Sequence, residues 1–155
     1  MATYSFKSSG KTQEQLTQEA ILKNVVPYGI RTPLKLGNKD GIFIMNTSLE
    51  TQFADNLRNL LLTNWGERVG LYSFGANLRE LTTELSSQEN FDSEAIARIK
   101  NSVGKWMPFI DLENFSSTID RTENKNTAVI RLEITYNIPA LQAFGKKVQV
   151  TLYAI

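Results

Sequence analysis

Apolar residues change their spacing near Pro108. Before it, Leu49, Phe53, Leu57, Leu60 and Leu61 recur at steps of four, four, three and one, which sets them on one stripe of a helix opening at Asn46. Thr47 and Glu50 have capping-box spacing, Asp55, Arg58 and Asn59 take the other side, and Gly66 stands where a helix C-terminal glycine is expected. A second segment, Asn77 to Leu85, puts Leu78, Leu81 and Leu85 on one face. The third helix opens at Asp92 as N-cap, carries Ile96, Ile99, Val103 and Trp106, and stops at Pro108.

After Pro108 the period becomes two. Ala128, Ile130, Leu132, Ile134, Tyr136 and Ile138 alternate with Val129, Arg131, Glu133, Thr135 and Asn137, as in a strand with one buried face. Ile110 to Ile119 and Val148 to Ile155 read as companion strands, with the polar run Asp120 to Asn126 as a hairpin connection. The predicted class is α+β: two main helices and a short one on one face of a largely antiparallel sheet of at least three strands.

Upstream, Pro27, Gly29, Pro33, Gly37 and Gly41 break the chain into extended segments and turns, leaving Gly41 to Met45 as a short strand at most. Residues 1–24 form a polar arm, in which Thr12 and Gln15 have the spacing of a capping box before Leu16, Ala20 and Ile21. Either a solvated arm or a helix that orders on a partner fits it. Residues 25–155 are read as a single domain.

Composition narrows the chemistry. The 155 residues include no histidine and no cysteine, which removes Ser-His and Cys-His nucleophile pairs, the usual nitrogen and sulfur zinc sites, and disulfides. A net charge of +1 provides no field for nonspecific binding of nucleic acid. The longest uncharged stretch, Ile134 to Gly145, has 12 residues, well short of the roughly 20 needed to cross a membrane. Neither nucleic acid nor membrane is expected as a partner. The first residues lack the apolar core of a secretory signal, so synthesis in the cytoplasm is expected.

Among motifs, Glu80 and Glu84 share a helix face beside Arg79, as ordinary solvated glutamates do. Asn38 to Gly41 has a fragment of a calcium loop without its alternating acids, and no glycine-rich phosphate loop is present. No metal or cofactor is expected. Gly66 to Gly75 is the most unusual stretch, with three glycines, the charged pair Glu67 and Arg68, and the aromatics Tyr72 and Phe74 between two helices. Two readings fit it: a binding role, or core plugs at Leu71 and Phe74 with Glu67 paired locally to Arg68.

Asn56 to Val69, followed by Phe74, Gly75, Ala76, Asn77 and Leu78, resembles the signature of the small baseplate wedge proteins of contractile phage tails, also called lysozyme-like and shared with a baseplate component of type VI secretion. There, an apolar helix ends in Leu-Leu-Thr, two loose residues precede Gly-Glu-Arg, and Phe-Gly and a leucine follow. The resemblance continues through Asp92 to Lys105 and the strand ending Thr135 to Pro139, covering roughly residues 42–155. Gly29 to Leu34 is similar to an upstream segment of longer members from T-even-like phages. The family's Glu-Pro-Arg anchor aligns with Met107, Pro108 and Phe109, where only the proline matches. An ionic contact there is therefore not carried over, and Met107, Pro108 and Phe109 beside Trp106 read either as an apolar contact or as core.

The resemblance implies a non-enzymatic structural part of the virion tail baseplate. Its partners would be other wedge proteins and the tail sheath protein, with tail tube proteins as a further candidate, and a sheet edge would start the sheath. Gly66, Glu67, Arg68, Phe74 and Gly75 are the expected joint between helices. A terminal strand in which Val148, Val150 and Leu152 hold the core is the expected edge. On this reading, removing Gln149 to Ile155 leaves a baseplate that assembles without starting a sheath. The rival from another class is a peptidoglycan hydrolase, which needs two carboxylates in a cleft, one kept protonated. A third is an adaptor domain unconnected with phages.

Overall fold

The computed structural model describes residues 12–17, 26–37, 42–83, 88–121 and 128–154. Asn38 to Gly41, Glu84, Leu85, most of the connection after Asp120, and most of the N-terminal arm lie outside the described residues. Two compact units divide the chain, Met1–Leu49 and Glu50–Ile155.

In the first unit, residues 13–17 are helical, and the capping box forms reciprocally: Gln15 N donates to Thr12 Oγ1 (3.4 Å) and Thr12 N to Gln15 Oε1 (3.0 Å). Strands β1 (Gly29–Ile30) and β2 (Met45–Asn46) pair antiparallel, and a further bridge joins Leu36 to Phe43. The glycines and prolines between them confine regular structure to these short pieces.

The second unit is the α+β body, with helices and a three-stranded antiparallel sheet ordered β3-β4-β5. Helix α1 (Leu49–Leu62) has Leu57, Leu60 and Leu61 fully buried, as its stripe predicts. It ends at Leu62, where the next residue's N and Oγ1 both donate to Asn59 O, so Gly66 lies four residues beyond the helix and serves a turn. Glu50 pairs with Lys146 (2.6 Å), a long-range tie that its capping-box spacing does not suggest. Helix α2 (Leu78–Thr83) follows Asn77, whose φ of 51° turns the chain into it. Helix α3 (Gln88–Trp106) starts four residues before Asp92, whose carboxylate is free of capping and accepts from Ser117 of the sheet (2.5 Å).

Strands β3 (Asp111–Arg121) and β4 (Ala128–Ile138) pair from Asp111↔Asn137 to Arg121↔Ala128, with Glu113 as an extra residue. A 3₁₀ turn, Pro139–Leu141, returns the chain into β5 (Ala143–Ala154). β5 begins five residues earlier than the alternation at Val148 indicates, because its first half lacks the alternation and is held instead by β4 and by the Lys146–Glu50 and Lys147–Glu133 ion pairs. Ile130, Leu132, Ile134, Tyr136 and Ile138 of β4 join Val148, Val150 and Leu152 of β5 on the face covered by helices, with α2 along β5 and α3 along β3. Burial of the Tyr136 phenol, and next the nearby Glu50 carboxylate, push its pKa up.

Candidate functional site

The segment between α1 and α2 folds as a joint closed by its own hydrogen bonds. Gly66, at φ +83°, donates its N–H to Tyr72 O (2.9 Å), and Leu71 N and Phe74 N close further turns onto Arg68 O and Leu71 O. Ala76 N reaches Leu60 O and Asn77 N reaches Thr63 O, which fastens the far end of the loop to the end of α1. Gly75 makes this approach possible: at φ +114°, a β-carbon would sit 2.1 Å from Thr63 O. Trp65 Nε1 donates to Gly75 O (3.1 Å) across the same crossing.

Glu67 and Arg68 do not pair with each other. Both Glu67 oxygens accept from Asn64, one from its backbone N and one from Nδ2, each at 2.8 Å, while the Arg68 guanidinium lies 3.8 Å from the Phe74 ring centre. Asn64 Oδ1 in turn accepts from Arg79 N in the first turn of α2 (3.3 Å). One asparagine thus ties the end of α1, the loop and the start of α2 together, although nothing in its sequence context marks it. The backbone and side-chain bonds from Asn64, followed by the Arg79 charge, hold the Glu67 carboxyl below its usual value near 4.5.

A carboxylate whose folded pKa is depressed stabilises above its unfolded pKa, and that contribution fades as acid protonates the folded state. Glu67→Gln should therefore cost only about 0.5 kcal/mol at neutral pH, because solvent screens this exposed carboxylate. Urea unfolding of both proteins should show the gap closing as pH falls below 4.5. A gap that persists at pH 3 contradicts the role given to the Asn64 bonds.

Phe74 packs edge-on to Trp106 at the end of α3 (5.2 Å between ring centres), so the joint grips the second long helix as well. Of the residues after that helix, Met107 is buried in the core, Pro108 is exposed, and Phe109 stacks half-exposed on Phe53 of α1 (4.7 Å). The triplet therefore divides: one residue is core and two face outward. Leu62, Trp65, Leu71 and Tyr72 are exposed around the joint, and Val69 at its tip is fully so.

β5 lies at one edge of the sheet and, among the described residues, pairs with β4 alone. Its register from Lys146↔Tyr136 to Ala154↔Ala128 is unbroken, Val148, Val150 and Leu152 are buried, and Tyr153 is exposed. A cavity of about 300 Å³ lined by Asn64, Glu67, Arg79, Leu152 and Tyr153 brings the joint and the end of this strand together. The described residues include no acidic group cluster able to hold a metal, and none of their helices is long and apolar enough to cross a membrane.

No protein-family model and no curated protein matches the sequence. Solved structures do. A chain of the anti-feeding prophage baseplate superimposes with a TM-score of 0.57 at 20% identity, covering 70% of this chain and 82% of that one. A proposed tail lysozyme of Geobacter sulfurreducens superimposes with a TM-score of 0.52 at 19% identity, covering 71% of this chain and 93% of that one. The fold is therefore one found in the anti-feeding prophage baseplate.

Proposed function

We propose that this chain is a non-enzymatic component of a contractile phage tail baseplate wedge, which joins wedge proteins around the tail tube and starts sheath assembly at the free edge of β5. The observation that carries the reading is that edge. Val148, Val150 and Leu152 are committed to the chain's own core, the register is unbroken over nine residues of β5, and among the described residues no second strand takes its outer backbone groups, which suits them as a template for a strand of another chain. The joint next to it supplies a preformed knob with Val69 and Tyr72 at the surface, a composition suited to wedge contacts. Likeness of fold to a prophage baseplate chain supports the same assignment. The sheath protein would meet β5, neighbouring wedge proteins the joint and Pro108 with Phe109, and the baseplate would be the protein's place in the virion.

A lysozyme-like hydrolase needs a carboxylic acid kept protonated near neutral pH. Glu67 is pushed the opposite way by Asn64, and Glu80 is held by Asn77 Nδ2 and the Arg98 guanidinium. Neither arrangement favours general acid catalysis.

The edge is testable without disturbing the core. Appending an Asn-Gly turn and a short alternating strand after Ile155 should fold back onto β5 and occupy its edge. Particles carrying this variant should assemble baseplates bearing tubes but no sheath by negative-stain microscopy. Sheathed tails at the normal yield, with the added strand shown in place by hydrogen exchange, would overturn the edge assignment.

A further inference from the structure

On the side of the joint facing α3 lies a second cavity, about 340 Å³, at the small end of the roughly 300 to 1,000 Å³ typical of ligand pockets. Its size suits one or two side chains. We propose that it receives a carboxylate side chain, flanked by an apolar residue, from an acidic segment of a partner protein. The proposal rests on the reading of this chain as an assembly protein, but its test needs no particle, so either can fail without the other.

Both indoles of the chain line this cleft, and each is pinned to the loop by its own N–H: Trp65 Nε1 donates to Gly75 O and Trp106 Nε1 to Ser73 O (3.3 Å). Each also carries a cation. The Arg98 guanidinium is 5.8 Å from the Trp65 ring centre, and Lys105 Nζ is 4.9 Å from that of Trp106. The lining contains these two cations and no carboxylate.

What the cleft has left to offer is mainly donors, with the Asn101 amide at its rim able to donate or accept. The two loop carbonyls are taken by the indoles. Lys105 Nζ, with three hydrogens, donates to Ser73 Oγ (2.7 Å) and has no carboxylate partner among the described residues. Arg98 donates Nη1 to Asn77 O (2.9 Å) and Glu80 Oε2 (2.8 Å), both from outside the cleft. Ser102, nine-tenths buried in the wall, has a hydroxyl with no hydrogen-bond partner. Donors set over aromatic faces select an acceptor that is anionic at one end and apolar beside it. A nucleic-acid strand is disfavoured, because two cations in one short cleft give no track along a phosphate backbone and the chain carries only +1 net.

Because both tryptophans sit here, intrinsic fluorescence reads the cleft directly. The probes are a panel of hexapeptides, each holding one leucine at a varied position, with the remaining positions filled by glutamate, glutamine or lysine, and a short oligothymidylate. Glutamate peptides should give saturable changes, with glutamine counterparts about tenfold weaker and affinity falling as salt rises. Lys105→Gln, whose side chain is exposed, should fold normally and lose most of that tenfold preference for glutamate. The proposal is overturned if no peptide changes the fluorescence, if binding ignores charge, if Lys105→Gln keeps the acid preference, or if the oligothymidylate binds more tightly than every peptide.

Discussion

Gly75→Ala should destabilise the protein by about 3 to 5 kcal/mol, close to what the most damaging single substitutions do. Two costs add. A β-carbon at φ +114° is strained in any surroundings, and here it would lie 2.1 Å from a backbone oxygen, Thr63 O, which cannot move aside as a flexible side chain could. Relief requires separating the loop from the end of α1, which gives up the Ala76 N to Leu60 O and Asn77 N to Thr63 O bonds and the Trp65 anchor on Gly75. Gly70→Ala is the control: φ is +80° but nothing lies within 4 Å of its β-carbon, so only the conformational cost of about 1 kcal/mol remains. Urea unfolding of the two variants separates close approach from conformation. Equal losses would contradict the role given to the crossing.

Deleting Gln149 to Ile155 should unfold the second unit. The sequence alone suggests a milder result, a baseplate that assembles and then fails to start a sheath. Val150 and Leu152 are buried, however, and their loss removes two core side chains, about 4 to 6 kcal/mol together, from a stability typically near 5 to 15 kcal/mol. The deletion also strips Ala128 to Glu133 of their β5 partners, leaving only the β3 ladder, and uncovers one side of Ile130 and Leu132, both fully buried. Circular dichroism should show a broadened or absent thermal transition. A cooperative melt within a few degrees of the full chain would mean that β5 contributes little to the core. The appended strand described above is the better probe of the edge because it removes nothing.

Elements whose pattern is set by one buried face were legible. β4 runs from Ala128 to Ile138 as its alternation indicates, and in α1 Leu57, Leu60 and Leu61 are buried as spaced, although Leu49 at the head of the stripe is exposed. Boundaries set by distant partners were not. The first half of β5 contains Phe144, exposed, and two lysines, and it is a strand because β4 pairs with it and Glu50 and Glu133 neutralise the lysines. Gln88 to Asn90 are all polar in sequence, so no apolar period marks the start of α3.

The joint was legible as a run of glycines and aromatics, but its wiring was not. Adjacent Glu67 and Arg68 suggest a pair, whereas the turn sends one to Asn64 and the other to Phe74. Gly75 is visible as a glycine, yet the oxygen that excludes any other residue belongs to Thr63, twelve positions earlier. The Trp65, Arg98 and Lys105 cleft brings together residues up to forty positions apart with no motif linking them.

A reconstruction of the sheathed particle that carries this chain tests the central claim most directly. The account predicts density for this protein in the baseplate, with a backbone strand of the sheath protein hydrogen-bonded along the free edge of β5. A particle in which that edge faces solvent, or in which the chain lies away from the first sheath ring, would contradict it.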